Sequence, residues 1–153
     1  METLIPDFKG DKELVFRFAE SLPDVVSHNV ETVQRLTRQV RVQARYERSL
    51  EVLSWLKEAG VPRTKSGIML GLGESTEELI QAMDDLRQSG VDILTLGQYL
   101  QPSRKHLEVS RYYSPDEFES LKEIALQKGF RVVESGPMVR SSYHAEKHVF
   151  PLQ

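Results

Sequence analysis

The side chains that could do chemistry are concentrated near the C-terminus of this chain. Residues 136–145 read GPMVRSSYHA, and the stretch from Arg140 to His144 contains five consecutive polar residues. Neither an amphipathic helix nor a half-buried strand requires such a run. Because it follows the apolar pair Val132 and Val133, it indicates a strand whose carboxyl end opens into a binding site.

A second candidate site is the sequence HNVET, at residues 28–32. Asn29 and Glu31 alternate with Val30, so in extended chain their side chains point to the same side. An amide and a carboxylate on one side can accept the hydroxyl protons of a ribose diol. His28, in contrast, is interpreted as a core histidine whose nitrogens are hydrogen-bonded.

The sequence GLGES, at residues 71–75, is a third candidate. Gly71 and Gly73 could form a tight strand-to-helix turn and nothing more. A glycine-rich turn before a helix can also cradle an anion or let the backbone approach a cofactor, and Glu74 would then lie beside it. Lys65 is a surface residue by default, and an anion partner if it faces the mouth of a barrel.

Composition excludes several classes of protein. The 153 residues carry a formal net charge of −3 and include no cysteine, so the chain has no disulfides and no general attraction to nucleic acid or anionic membranes. One domain over residues 1–153 is expected. No apolar run is long enough to cross a membrane and no signal peptide is apparent, so we expect a cytoplasmic protein without membrane or nucleic-acid partners.

Short apolar strands alternate along the chain with amphipathic helices. Ser75 with Glu78 and Ser114 with Glu117 have the spacing of capping boxes, which predicts a helix start at each serine. Glycines at 60, 90 and 129 follow the predicted helices. Strands are predicted at residues 3–5, 25–26, 66–70, 91–96 and 130–133, and helices at 14–19 and 45–59 and after each capping box.

This alternation predicts a parallel sheet with outer helices. The clusters PDF, HNVET, GLGES and GQYLQPS each follow the carboxyl end of a strand, where such folds place their sites. Four to five strands do not close an eight-stranded barrel. We therefore predict an α/β fold that forms half to two-thirds of a TIM-like barrel, with residues 134–153 as a C-terminal segment carrying RSSY.

Taken together, the clusters resemble lipoyl synthases of the radical S-adenosylmethionine (SAM) superfamily. The matching stretches, in order, are HNVETV, TKSGIMLGLGES, LTLGQYLQPSRKHLEV and GPMVRSSYHA. Within them, residues 67–74 are similar to the radical-SAM element G-x-I-x-G-x-x-E, and HNVET resembles the ribose-binding strand end of those enzymes. RSSY after a Gly-Pro turn favours lipoyl synthase over biotin synthase or another radical-SAM branch.

The resemblance implies a TIM-like radical-SAM barrel that inserts two sulfurs at C6 and C8 of a protein-bound octanoyl chain. It implies SAM and two 4Fe–4S clusters as cofactors, and an octanoylated lipoyl carrier domain (H protein or an E2 lipoyl domain) as partner. In the family, three cysteines and one RSSY serine hold the auxiliary cluster. The matching positions are Ser141 and Ser142, and Ser142 is the predicted ligand. No catalytic residue is assigned. The predicted cofactor-binding residues are Asn29, Glu31, Lys65, Gly71, Gly73 and Glu74.

The chain departs from the family because the cysteines of both clusters are absent. It therefore resembles the C-terminal half of a lipoyl synthase, and it is expected to need the N-terminal half of the barrel as a partner. Without thiolates it is expected to hold neither cluster and to be inactive alone. The alternative is a non-catalytic half-barrel or split-enzyme subunit that binds a lipoyl carrier domain or another partner protein.

Overall fold

The fold is a five-stranded parallel sheet whose strands follow one another in chain order, as seen in a computed structural model that describes residues 2–140. Each strand pairs in parallel with the next. Their carboxyl ends therefore lie along one edge of the sheet, as predicted. The strands are β1 (Glu2–Leu4), β2 (Val25–Ser27), β3 (Arg63–Leu70), β4 (Ile93–Gln98) and β5 (Val132–Gly136).

Helices connect the strands, and side-chain caps fix where they begin. Asp11 accepts hydrogen bonds from the first-turn amides of the first helix, and both predicted capping boxes are formed. The helices are α1 (Lys12–Ala19), α2 (Thr37–Val40), α3 (Tyr46–Glu58), α4 (Thr76–Gln88) and α5 (Pro115–Gln127), with 3-10 turns at Phe8–Gly10 and Gln34–Leu36. The short α2 was not predicted, because four residues show no helical period.

The two faces of the sheet differ in composition. One face packs under the helices, and strand residues such as Val26, Ile68 and Leu94 belong to its hydrophobic core. Val25 and Ile93 are also buried but lie outside that core. Because side chains alternate along a strand, Val25 and Ile93 mark the opposite, inner face of the sheet.

Strand β3 begins three residues earlier than predicted. Its first half is polar, which hides it from a search for apolar runs, yet every one of these residues is buried. Thr64 donates from its backbone to Asp92 at 3.0 Å, and the Ser66 hydroxyl accepts from the Val30 amide at 3.1 Å. Buried polar side chains that find such partners are tolerated inside a sheet.

The five parallel strands with outer helices confirm the predicted fold class, an α/β partial barrel. No helix in residues 2–140 is both long and apolar enough to cross a membrane. The predicted C-terminal segment is described only up to Arg140. Ser141 and Ser142 lie outside the described residues, so the predicted cluster ligand cannot be placed.

Candidate cofactor-binding site

A cleft of about 280 Å³ opens at the carboxyl edge of the sheet. It lies over the inner face of β3 and β4 and is bounded by the turn after β2. Val139 and Arg140 also line it. The lining residues are Asn29, Glu31, Gly67, Ile68, Met69, Thr95, Gly97, Gln98, Leu100, Val139 and Arg140.

Asn29 and Glu31 reach this cleft because the chain after β2 stays paired with β3. The Glu31 amide donates to the Gly67 carbonyl at 3.0 Å, and its carbonyl accepts from the Met69 amide at 2.8 Å. Glu31 has a φ of 69°, in the left-handed region that only glycine adopts easily. Such backbone strain at a non-glycine residue is concentrated at binding sites.

The side-chain oxygen of Asn29 is available to a ligand. The Oδ1 of Asn29 is buried and has no hydrogen-bond partner in the described structure. An unbonded buried acceptor costs free energy, so its position on a cleft indicates a ligand that donates a hydrogen bond. Burial raises the pKa of the Glu31 carboxyl, and the Arg41 charge and a hydrogen bond from Asn29 partly offset that rise.

Two strand glycines give the cleft its depth. A Cβ on Gly67 would lie 2.6 Å from the Thr95 Oγ1 and 3.2 Å from the Asn29 Oδ1. A Cβ on Gly97 would collide with the carbonyl oxygen of Val139, whose backbone crosses the strand there. Glycine inside a strand often marks such a close approach. Neither Gly97 nor Thr95 was predicted as a site residue, although Gly97 begins the cluster GQYLQPS directly after the predicted strand at 91–96.

Glu74 lies beside the cleft but does not line it. One carboxylate oxygen accepts from the Leu72 amide at 2.9 Å. The other accepts from the Gly71 amide at 3.0 Å and from the Tyr113 hydroxyl at 2.6 Å. Burial and the Glu74 carboxylate raise the pKa of Tyr113, which therefore stays a hydroxyl donor. The geometry assigns Glu74 to holding the glycine turn, since both of its oxygens are bonded there.

The glycine turn is also attached to the loop after β4. The amide nitrogen of the Gln98 side chain donates to the Arg111 carbonyl, and its oxygen accepts from the Tyr113 amide at 2.9 Å. Ser110 donates from its backbone to the Gly71 carbonyl at 2.7 Å. A Cβ on Gly71 would overlap the Gln98 side chain. Neither Gly71 nor Gly73 lines the cleft.

The interpretation of Lys65 as a surface residue is wrong. Its side chain is fully buried, and its ammonium lies 2.7 Å from a carboxylate oxygen of Glu2 on β1. Ser27 donates to the same oxygen at 3.2 Å. Lys65 alternates with Gly67 and Met69 on the inner face, so it lies deeper in the sheet than the cleft and does not line it. A contact between Lys65 and a cofactor stays a prediction.

His28 is a core histidine, as interpreted from the sequence. Its Nδ1 lies 3.0 Å from the Ile5 carbonyl and must donate to it, so Nε2 accepts from the Ser49 hydroxyl at 2.9 Å. Burial lowers the pKa of the imidazole and favours this neutral form. Both nitrogens are bonded, and His28 is therefore not a candidate base or ligand.

The described residues do not fit an iron–sulfur cluster. Among them, no three His, Asp or Glu side chains are grouped as metal ligands, and the sequence contains no cysteine. Cluster irons require thiolate ligands. The amide, carboxylate and glycine backbone around the cleft instead fit a polar organic cofactor with hydroxyl donors.

A parallel α/β sheet with a polar cleft at its carboxyl edge is the arrangement of a cofactor-binding barrel enzyme. Residues 1–86, more than half of the chain, match the family model described as the Radical SAM superfamily. The chain belongs to the radical SAM superfamily.

Within that superfamily, the resemblance to lipoyl synthases is confirmed. The chain is 63% identical over 149 residues to the mitochondrial lipoyl synthase of Nematostella vectensis and 61% identical over 149 residues to the lipoyl synthase of Flavobacterium psychrophilum. Each match covers 97% of this chain and 51% of the relative, so the chain spans about half the length of the curated relatives it matches.

A solved structure shares the fold. The crystal structure of methylornithine synthase superposes with a TM-score of 0.60 at 16% identity, covering 86% of this chain and 46% of that protein. At this identity the likeness concerns the fold alone. It agrees with a partial barrel.

Proposed function

We propose that this chain carries the SAM-binding residues of a lipoyl synthase, which inserts two sulfurs at C6 and C8 of a protein-bound octanoyl chain. The identity to lipoyl synthases over 97% of the chain supports this proposal over a non-catalytic module. The observation that carries it is the buried, unbonded Oδ1 of Asn29 beside the Glu31 carboxylate in the cleft.

The two side chains suit a ribose diol. The carboxyl oxygens of Glu31 can accept hydroxyl protons, and the Asn29 Oδ1 can accept one more. Gly67 leaves room for the sugar to approach the β3 backbone. In this superfamily, bound SAM supplies the radical chemistry. The residues of this chain bind and orient it at the carboxyl edge of the sheet.

Two 4Fe–4S clusters belong to the proposed enzyme, but the residues present do not fit either of them. Without cysteine thiolates, we assign no cluster-dependent step to this chain and expect it to be inactive alone. Ser142 stays the predicted serine ligand of the auxiliary cluster in the complete enzyme. The cytoplasmic location also stays a prediction, since one relative is named as mitochondrial.

The test is SAM binding to the chain, measured by calorimetry. Glu31→Ala removes a charged hydrogen-bond acceptor, which is worth about 1.5–3 kcal/mol, so we expect affinity to fall about 10- to 150-fold. Asn29→Ala is expected to weaken binding in the same direction. The control is Glu51→Ala, an exposed acidic residue on α3.

Equal affinity in wild type and Glu31→Ala would remove this residue from the site. Loss of affinity in the Glu51→Ala control would show that net charge, and not the cleft, determines binding.

A further inference from the structure

We propose that the surface beside the cofactor cleft is the docking site for an acidic, folded carrier domain. The inference rests on the proposed function, because the partner would present the acyl chain that the cleft processes. We call this surface the basic rim, and it comprises residues 34–48 and 99–112. It is formed by the connection after β2 and the loop after β4.

The first observation is a separation of charge. The basic rim contains eight of the 20 Lys and Arg residues but only two of the 23 Asp and Glu residues. The chain as a whole is acidic, with a net charge of −3. Positive charge is therefore concentrated at the edge of the sheet that carries the cofactor cleft, where it would attract a negatively charged partner.

Four of the eight cations of the basic rim are also available, whereas Arg35, Arg48 and Arg111 are paired with Glu78, Asp7 and Glu117. Arg38 is exposed on α2 and Arg45 directly before α3, and Arg104 and Lys105 are exposed in the loop after β4. None of these four forms an ion pair within the described structure, whereas Arg17, Lys12 and Lys128 elsewhere do. Unpaired exposed cations lose little when they contact a carboxylate of another protein.

The second observation is an apolar cleft of about 480 Å³ between the two segments of the basic rim. Gln39, Val40 and Val42 line it from one segment. From the other segment the lining residues are Tyr99, Leu100, Pro102, Lys105, His106 and Leu107. Val42 is 85% exposed and Leu100 is 49% exposed. Apolar residues surrounded by charge are the composition of a protein docking site.

This apolar cleft adjoins the cofactor cleft. Met69 and Leu100 line both of them. A domain docked on the basic rim could therefore pass a flexible acyl-lysine arm directly over Met69 to the cofactor. Aliphatic walls suit such a chain, since each buried methylene contributes about 0.8 kcal/mol.

A nucleic acid is a poorer occupant of this surface. Single-stranded nucleic acids bind by stacking their bases on exposed aromatic rings. The aromatic residue that lines the apolar cleft, Tyr99, is 6% exposed, and its hydroxyl donates to the Leu107 carbonyl at 2.7 Å. Its ring is therefore not available as a stacking platform, and Tyr112, which is 68% exposed in the basic rim, does not line the apolar cleft. The apolar cleft therefore favours a protein over stacked bases.

The experiment is binding of an octanoylated lipoyl carrier domain of acidic net charge to the 153-residue chain, measured by biolayer interferometry at low and high salt. The test variant is Arg38→Glu with Lys105→Glu, one residue from each segment. We expect affinity to fall at least about tenfold at low salt, with a smaller difference at high salt, where charges are screened. The matched control is Arg17→Glu with Lys122→Glu, which makes the same charge change on the outer helices α1 and α5.

Each outcome decides the proposal. The proposal is overturned if the test and control variants lose carrier affinity equally, if the test variant keeps its affinity, or if the wild type does not bind the carrier. A single-stranded oligonucleotide that binds with the affinity of the carrier domain would overturn it in favour of nucleic acid. SAM binding is measured in parallel, because loss of carrier affinity with unchanged SAM affinity supports the docking site. Wild-type binding of the carrier without binding of SAM would refute the cofactor proposal alone.

Discussion

Glu74 provides the sharpest test of how the glycine turn is held. Its two carboxylate oxygens accept three hydrogen bonds, from the amides of Gly71 and Leu72 and from the Tyr113 hydroxyl. Glu74→Gln keeps the size of the side chain but replaces one oxygen with an NH₂ donor. The best remaining arrangement keeps the oxygen that faces Gly71 and Tyr113 and points the NH₂ at the Leu72 amide, where two donors then face each other.

The magnitude follows from these contacts. The bond from Leu72 to a charged acceptor is lost, which costs about 1.5–3 kcal/mol. The other two bonds lose their charge assistance and become weaker. We expect Glu74→Gln to lower the free energy of unfolding by about 2–4 kcal/mol, which for a chain of this length lowers the Tm by about 5–15 °C. Tyr113→Phe removes one bond and is expected to cost about 1.5–3 kcal/mol.

The assay is urea unfolding of the two single variants and the double variant, without any ligand. Because Glu74 and Tyr113 contact each other, their effects should be non-additive, with an interaction energy of about 0.5–3 kcal/mol. The matched control is Glu77→Gln, an exposed residue in the first turn of α4. A loss below about 0.5 kcal/mol for Glu74→Gln, the range of ordinary surface substitutions, would refute the structural role and leave cofactor binding as its function.

Three further predictions concern the interior of the sheet. Burial raises the folded-state pKa of Glu31, so the free energy of unfolding should fall as pH rises through that pKa. Urea unfolding across pH should show that Glu31→Gln escapes this loss. A pH profile of the variant that runs parallel to that of the wild type would contradict the prediction. Lys65→Met should lower the free energy of unfolding by about 3–5 kcal/mol, because the Glu2 carboxylate loses its ammonium partner. Adding Glu2→Gln should restore most of that stability. Additive losses of the two variants in urea unfolding would count against the ion pair. Gly67→Ala should lower the free energy of unfolding by about 1–3 kcal/mol, because the new Cβ meets the Thr95 hydroxyl. Adding Thr95→Ala should relieve this clash. A urea midpoint that Gly67→Ala leaves unchanged would contradict the close approach.

The sequence alone determined those features that depend on neighbouring residues. The capping boxes at Ser75 and Ser114 are local hydrogen-bond patterns, so their helix starts could be predicted. Strand–helix alternation predicted the parallel sheet, and the position of HNVET after a strand placed Asn29 and Glu31 at its carboxyl edge. Their approach to one cleft follows from the pairing of Glu31 with β3 and from its left-handed φ of 69°, which alternation along an extended chain does not predict.

Only the tertiary structure decided features that depend on residues distant in sequence. Lys65 is buried because Glu2, 63 positions earlier, lies across the sheet from it. Glu74 is bonded to Tyr113, 39 positions later, which assigns the carboxylate to the turn and not to the lining of the cleft. No periodicity or motif records such partners, because a buried charge is stable only where the fold supplies its counterpart. The sequence thus shows which residues are polar. The fold decides which of them are bonded within the protein and which remain free to bind a ligand.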